Sequence, residues 1–155
     1  METLGLGLFF EDVTVGRTFK TIGRTISEAD IINFVTCTGM TEVLFTNSVF
    51  QEEESLIKGR VVPSALVYTF MEGLLVQSTM QHTGFAFLEM SYKVGGPTVA
   101  GDTIHCEVEI VEARRSKKRP DKGIVTSHNR VINQRGELVL DYKPTRMVNA
   151  RTKGE

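Results

Sequence analysis

Residues 61–81 read VVPSALVYTFMEGLLVQSTMQ, and Glu72 is the only Asp, Glu, Lys or Arg between residues 61 and 88. Pro63 and Ser64 favour a helix start, because a proline needs no amide partner there and a serine oxygen can cap free N–H groups. We predict a helix from Ser64 to about Gln81. Its apolar side chains point in every direction, which is typical of a helix that is buried or that spans a membrane.

A membrane span needs ~20 nearly unbroken apolar residues. Here Glu72, Gly73 and Gln77 interrupt the run too early. The first four residues contain no basic segment of the kind that opens a signal peptide. We therefore expect a soluble, cytoplasmic protein that does not bind a membrane, with one helix enclosed by other elements.

Three later segments alternate apolar and polar residues, a period of two that is typical of half-buried strands. Their apolar positions are Leu88, Met90, Tyr92 and Val94, then Ile104, Cys106, Val108 and Ile110, then Leu138, Leu140 and Tyr142. Residues 122–133 indicate a fourth strand with weaker alternation, and turn residues separate the strands. A helix followed by an antiparallel meander predicts an α+β fold in which a curled sheet wraps the helix.

The length of 155 residues fits one domain over residues 1–155, with a polar tail at 149–155. Lys and Arg number 18 against 19 Asp and Glu, so the charge does not favour nucleic-acid binding. Cys37 and Cys106 lie among apolar neighbours, and we expect both to be buried thiols. His105 and His128 make no metal-ligand spacing, so we expect no metal site.

The first third of the chain contains a possible strand at residues 19–25 and then a helix. Ser27 is placed to cap that helix, and Gly39 is placed to end it in a left-handed conformation. A loop over residues 40–47 follows, and residues 49–57 favour a short helix. We expect functional residues in this loop and at the start of the central helix.

Several motifs occur in this chain in an order and spacing found in one family. They are residues 25–31 (TISEADI), the loop after Gly39, residues 59–62 (GRVV), 73–75 (GLL), 97–103 (PTVAGDT), 114–117 (RRSK) and 131–137 (VINQRGE). With these motifs the chain resembles the MaoC-like dehydratases, the group that includes the (R)-specific enoyl-CoA hydratases, over nearly its whole length. The resemblance implies a hot-dog fold, a homodimer or higher oligomer, and an acyl-CoA or acyl-carrier thioester as substrate or ligand, with no further cofactor.

The family's hydration loop, Gly-Asp-x-Asn-Pro-x-His followed by Thr-Asp, is altered here. Laid on the chain without a gap, the Asp position holds Met40, the His position holds Phe45, and the final Asp position holds Asn47. Hydration of a 2-enoyl thioester needs one group to deprotonate water and one to deliver a proton, and neither Met nor Phe can do so. Loss of one general acid–base costs ~10²–10⁴-fold in rate.

Glu42 is the best candidate to replace the missing groups, because it is the sole acid in this loop. Burial of a lone carboxyl would suit it to proton transfer. The alternative is that Glu42 faces solvent or caps a turn. Met40 and Phe45, with Asn47, are expected to line the acyl site, although apolar residues here also fit an interface.

The resemblance also implies that backbone N–H groups at the start of the central helix point at the thioester oxygen. The family's His-Gly at this place is Pro63-Ser64 here, so the amides of Ser64 and Ala65 remain as donors. A helix N-terminus is suited to stabilising an enolate oxygen. The alternative is that Ser64 only caps the helix.

Residues 114–122 form the densest basic stretch and fall at a turn between strands. Lys117, Lys118 and Arg119 are candidates to contact the phosphates of coenzyme A or of a carrier-protein arm. The alternative is a solvated hairpin tip, which charge runs usually are.

Three functions follow from these residues. The first is an acyl-CoA hydratase or dehydratase, a lyase with Glu42 as acid or base and the Ser64 and Ala65 amides as oxyanion donors. The second is a non-catalytic acyl-thioester binder, or the inactive partner of a complete subunit. The third is a hot-dog thioesterase in which Glu42 or an acid of the central helix positions water.

Overall fold

The computed structural model describes residues 1–152, and the expected tail residues 153–155 lie outside the described range. Six strands and four α-helices follow a short 3₁₀ turn at Phe10–Asp12. The strands are β1 (Thr18–Lys20), β2 (Arg24–Thr25), β3 (Gly84–Val94), β4 (Thr103–Arg115), β5 (Lys122–Asn133) and β6 (Leu138–Asn149). The helices are α1 (Glu28–Thr38), α2 (Val43–Thr46), α3 (Ser48–Glu53) and α4 (Ser64–Thr79).

The strands form one antiparallel sheet in the order β1-β4-β5-β6-β3, with β2 also beside β4. The predicted meander is confirmed for β4, β5 and β6. It is wrong for β3, which pairs with β6 and not with β4, so the chain between β3 and β4 crosses the sheet past β6 and β5. This crossing, residues 95–102, passes beside the start of α4, where Val62 N–H donates to the Thr98 carbonyl at 2.9 Å.

Helix α4 packs on the sheet through Leu66, Val67, Met71 and Leu75, all buried. The inward positions of β4 predicted from alternation, Ile104, Cys106, Val108 and Ile110, are all buried beneath it. Burial of each such side chain contributes ~1.5–3 kcal/mol. The helix is not enclosed on every side, however, because Val76 is 42% exposed on the face away from the core. Among residues 1–152, no helix is long and apolar enough to cross a membrane.

The lone charge of α4 is held by a buried polar cluster. Tyr142 donates its hydroxyl to Glu72 Oε1 at 3.0 Å, and Arg146 Nη2 donates to Glu72 Oε2 at 2.5 Å. The Glu72 and Arg146 side chains are only 13% and 12% exposed. Burial raises the pKa of Tyr142 far above its usual range, and it raises the pKa of the neighbouring Cys106 thiol to about 12. Cys106 is thus an inert, buried thiol.

Strand β3 departs most from the predicted burial. Its expected inward residues Leu88, Tyr92 and Val94 are exposed in this chain, as are Phe85 and Phe87. Strand β3 is an edge strand, and a bulge between Phe87 and Glu89 shifts its register against β6. Alternation therefore identified the strand but not its burial, and these side chains are exposed on the end strand of the sheet.

Smaller corrections concern the first third of the chain. The possible strand at residues 19–25 is split into β1 and β2, and the predicted loop contains α2. The expected helix over residues 49–57 is the shorter α3. The ends predicted for α1 are confirmed: Ser27 Oγ accepts from Asp30 N–H at 3.2 Å, and Gly39 has φ 74°. Cys37 is exposed, so its predicted burial was wrong.

The predicted polar tail begins later than expected, because β6 extends to Asn149. The next residues are fixed by the 3₁₀ turn: Arg151 N–H donates to Glu11 Oε2 at 3.0 Å, and the Arg151 guanidinium pairs with Asp12 at 2.6 Å. The backbone N–H of Arg151, assisted by Thr152, lowers the pKa of Glu11 to about 2. Residues 151 and 152 are therefore tied to the N-terminal segment.

Candidate functional site

A groove of about 870 Å³, including space open to solvent, lies at the N-terminal end of α4. Its walls are α2, residues 61–63, the first turn of α4 and the end of β3 with residues 95–98. Nearly all of the lining side chains are apolar, and Ser64 and Thr98 are the exceptions. An apolar groove with a few polar groups is the usual form of a small-molecule site.

The polar end of the groove is the start of α4. Pro63 is the N-cap and makes no side-chain capping bond, while its carbonyl accepts from Leu66 N–H at 2.9 Å and Val67 N–H at 3.3 Å. The alternative interpretation of Ser64 as the cap is wrong, because Ser64 is the first helical residue. The amides of Ser64 and Ala65 are thus among the donors that a helix leaves without internal partners. Together with the positive end of the helix dipole, they suit an oxyanion.

Helix α2 brings part of the loop over residues 40–47 to the groove. Leu44 and Phe45 line the groove, and Phe45 places an aromatic side chain in its wall. Met40 is half-buried, but neither it nor Val43 is part of the groove wall. The structure therefore brings Phe45 and Ser64 into one site and leaves Met40 outside it.

Glu42 is exposed and caps α2. Its Oε2 accepts from Leu44 N–H at 2.7 Å, and the Thr46 hydroxyl donates to the Glu42 carbonyl at 3.0 Å. Its side chain does not line the groove. This is the turn-capping arrangement, and the burial that would suit the carboxyl to proton transfer is not found in this chain. The catalytic role of Glu42 stays a prediction.

Asn47 is also engaged in a cap. Its Oδ1 accepts from Phe50 N–H at 3.1 Å at the start of α3, and its backbone N–H donates to the Val43 carbonyl at 2.9 Å. The side chain is outside the groove wall. Its predicted contact with substrate would require this cap to open.

The basic stretch lies at the far end of the molecule. Residues 116–121 form the β4–β5 hairpin, which Ser116 closes by donating its N–H to the Lys122 carbonyl at 3.0 Å. This hairpin adjoins the C-terminal end of α4, because Gly123 and Gly84 both pair with Val148. Helix α4 contains sixteen residues and is ~24 Å long, so that end lies far from Ser64. One chain therefore does not bring Lys117, Lys118 and Arg119 to the groove.

Arg119 is nevertheless well placed for an anion. Its guanidinium carbon lies 5.2 Å from the centre of the Phe85 ring, and Lys122 lies on the same ring at 5.0 Å. Lys122 is paired with Asp121, and this hydrogen bond lowers the pKa of Asp121. Lys117, Lys118 and Arg119 have no carboxylate within 4 Å in the described part of the chain.

Sequence analysis missed the partners of Glu72. The sequence did contain a signal for them. A single charge in an apolar helix needs a buried counter-charge, and Arg146 is a charged residue within the last strand. Asn129 belongs to the same interior: it is 1% exposed, and its Oδ1 has no hydrogen-bond partner among residues 1–152. It borders a second space of about 530 Å³, also partly open, between α4 and the sheet.

Histidines do not form a metal centre in the described residues. His105 lies 3.7 Å from Glu107 and His128 lies 2.9 Å from Asp141, in separate pairs. Within residues 1–152 no three His, Cys, Asp or Glu side chains come together as metal ligands.

Comparison with known proteins agrees with this geometry. The sequence pattern of the family described as "FAS1-like, dehydratase domain region" matches residues 13–142. The chain belongs to this family of MaoC-like hot-dog dehydratases. No curated protein matches it.

Three solved structures show the same fold. A MaoC-like dehydratase from Rhodospirillum rubrum is 28% identical with TM-score 0.83, over 94% of this chain and 99% of that one. A double hot-dog protein from Mycobacterium tuberculosis is 21% identical with TM-score 0.84, over 96% of this chain and 46% of its own. An R-hydratase from Pseudomonas aeruginosa is 18% identical with TM-score 0.76, over 94% of this chain and 88% of its own.

Proposed function

We propose that this MaoC-like protein binds an acyl thioester in the groove at the start of α4 and acts on it as a hydratase or dehydratase with a rearranged site. The observation that carries the proposal is that α4 begins at the end of an apolar groove, with Ser64 in the groove wall and Ala65 next to it in the first turn. The acyl chain lies against Phe45 and Val67, and the thioester oxygen faces the amides. Donors of this kind typically contribute ~10²–10³-fold to rate where charge develops on that oxygen.

Proton transfer is the part of the reaction that the groove does not supply by itself. Glu42 is the acid nearest in sequence to the groove residues Leu44 and Phe45. It acts as acid or base in this proposal only when its carboxylate leaves the Leu44 N–H and turns toward bound water. Such a change is local, because it breaks one hydrogen bond at the start of a four-residue helix.

The hydrogen bond from Leu44 N–H to the Glu42 carboxylate also favours a second function, binding without hydration. With Phe45 in the groove and Glu42 held by Leu44, the site binds an acyl thioester without hydrating it. The protein would then be a non-catalytic binder or the partner of a complete subunit. A thioesterase that uses the acid of α4 is disfavoured, because Arg146 and Tyr142 already occupy the Glu72 carboxylate.

Hydration of crotonyl-CoA and of longer 2-enoyl-CoAs, followed as loss of enoyl absorbance, tests the proposal. We expect turnover by the natural protein and its loss in Glu42→Gln, while Glu53→Gln, an exposed acid of α3, keeps full activity. Turnover that survives Glu42→Gln would remove Glu42 from the mechanism. No turnover, with butyryl-CoA still raising the melting temperature, would establish the binding function, and release of free thiol would establish a thioesterase.

The assembly and location form the remaining part of the proposal. We propose a homodimer, supported by the apolar residues exposed along the edge strand β3. A cytoplasmic location is supported by the exposed thiol of Cys37, since free thiols persist in reducing compartments. Coenzyme A and a carrier-protein arm carry the same thioester chemistry, and both remain candidates for the carrier.

A further inference from the structure

One wall of the groove is held by the chain separately from the others. This wall belongs to residues 40–58, here named the flap, which contain α2 and α3 and lie between Gly39 and Gly59. We propose that the flap opens and closes as one body about these two glycines, and that its opening controls when a ligand enters and leaves the groove. The identity of the ligand, an acyl thioester, rests on the proposed function, whereas the opening does not.

The flap is hydrogen-bonded within itself. Gln51 is only 6% exposed, and its side-chain amide donates to the Leu44 carbonyl, which joins α3 to α2. Lys58 Nζ donates to the Glu52 carbonyl at 3.1 Å, which joins the end of the flap to α3. The caps of the two short helices, described above, add to these bonds. The flap therefore has internal bonds that hold its shape when it moves.

Polar contacts do not tie the flap to the rest of the domain. Within residues 1–152, every hydrogen bond of the flap has both partners in the flap, apart from one that Thr41 N–H donates to the Gly39 carbonyl at 2.8 Å. In the same range no ion pair involves the flap, although it contains four glutamates and one lysine. The flap residues that line the groove are apolar: Leu44, Phe45 and Ile57. Opening thus leaves no buried polar group without its partner, which is the costly event when structures separate.

Both ends of the flap have the backbone freedom that a hinge needs. Gly39 has φ 74° and Gly59 has φ 98°, a region that glycine adopts without strain. Beyond the two glycines the chain is anchored. Gly39 directly follows α1, and the Arg60 carbonyl accepts from Ala100 N–H at 2.8 Å. The Arg60 side chain also pairs with Glu28 of α1 at 2.9 Å. Rotation about the glycines therefore moves the flap while α1 and Arg60 stay in place.

This movement divides the proposed site into two parts. The amides of Ser64 and Ala65 and the apolar side chain of Val67 belong to the fixed part of the domain. Phe45 belongs to the flap, and so does Glu42, the acid proposed for proton transfer. Closure therefore sets the acid and the oxyanion donors against one substrate and excludes water from between them. Loops that close in this way often limit turnover through the release of product.

Cysteine labelling tests the opening without any ligand. In a Cys37→Ser background, Val67→Cys places a thiol in the groove wall at a position that is 2% exposed, and Cys106 stays buried. The matched control is Leu66→Cys, at a core position that is 1% exposed and outside the groove wall. Local opening uncovers only the first thiol, so we expect iodoacetamide to label Val67→Cys at least ~100-fold faster than Leu66→Cys. Val62→Cys, also in the groove wall, is expected to follow Val67→Cys. Groove thiols labelled no faster than Leu66→Cys would overturn the proposal.

Alanine at the hinges tests where the movement occurs. An L-residue disfavours positive φ, so Gly39→Ala strains the closed flap, and rotation away from that φ relieves the strain. We expect Gly39→Ala to speed labelling of Val67→Cys at least ~5-fold, and Gly59→Ala to act in the same direction. The matched control is Gly136→Ala in the β5–β6 turn, where φ is 79° and, as at Gly39, no atom lies within 4 Å of an added Cβ. It is expected to leave this rate unchanged below the melting temperature. Equal effects of Gly39→Ala and Gly136→Ala would overturn the hinges.

Binding kinetics connect the flap to the proposed function. When a ligand enters only through the open state, the observed binding rate reaches a limit at high ligand concentration, and the limit is the opening rate of the chain. We therefore expect butyryl-CoA and butyryl-N-acetylcysteamine to reach the same limit. Saturating butyryl-CoA is expected to slow labelling of Val67→Cys at least ~10-fold, because it binds the closed flap. Rates that rise linearly for both ligands would overturn the control of entry by the flap. Natural protein that binds neither thioester would refute the proposed function, while the labelling rates would still decide whether the flap opens.

Discussion

Breaking the buried ion pair beneath α4 gives the sharpest prediction about stability. In Arg146→Met the Glu72 carboxylate stays buried at 13% exposure and keeps only the Tyr142 hydroxyl as a donor. Removal of one member of a buried pair typically costs ~3–5 kcal/mol, because the other charge is left uncompensated. We expect a loss of that size. The double variant Glu72→Leu/Arg146→Met removes both charges, and we expect it to recover ~2 kcal/mol or more of that loss.

Urea unfolding with linear extrapolation measures these differences at one fixed chain concentration, since assembly would otherwise shift the midpoint. The matched control is Arg130→Met, whose pair with Glu107 is 54% and 40% exposed; we expect a change within ~0.5 kcal/mol. A loss below ~1 kcal/mol in Arg146→Met would refute the reasoning. A double variant no more stable than the single one would refute it as well.

Three further predictions concern the loop, the terminus and the cysteines. Met40→Asp with Phe45→His installs the acid and base that the resemblance implies for this loop, the histidine in the groove wall and the aspartate just outside it. Crotonyl-CoA hydration is expected to rise by ~10²-fold or more over the natural protein; unchanged turnover would mean that the groove does not place substrate there. The folded-state pKa of Glu11 is lowered from 4.5 to about 2, so its contribution to stability is present above pH ~5 and is lost as the pH falls toward 2. Melting temperatures of the natural protein and Glu11→Gln should therefore differ at neutral pH and converge in acid, and a constant difference would contradict this assignment. Iodoacetamide is expected to label Cys37 rapidly and Cys106 only after unfolding; mass spectrometry of the native protein decides, and early labelling of Cys106 would contradict its burial.

Sequence patterns predicted elements best where burial is decided within one chain. The alternation of β4 marks residues that α4 covers directly, so pattern and burial coincide there. In β3 the same alternation predicts an inward face, yet Tyr92 and Val94 are exposed on the end strand of the sheet. Periodicity reports which face is apolar, and it carries no information on which molecule covers that face.

The candidate site was likewise predicted only in part from the sequence. Phe45 and Ser64 were identified from the altered loop and the helix start, and both line the groove. The basic hairpin was placed correctly between strands, but its distance from the groove depends on sheet order, which joins β3 to β6 rather than to β4. Local spacing could not reveal that order, since a strand pair separated by fifty residues leaves no local signal.

The oxyanion donors and the proton-transfer groups of the proposed reaction depend on the sequence in different ways. In the proposed site the oxyanion donors are backbone amides, so they are set by the position of α4 and not by the side chain of Ser64. Proton transfer depends on side chains, and Met40 and Phe45 carry no acid or base, so the proposed hydratase depends on Glu42 for this step. A chain that keeps the backbone donors and lacks the proton-transfer side chains would still bind and polarise a thioester. Affinity for the thioester and the rate of its hydration therefore need separate measurements, because they depend on different groups.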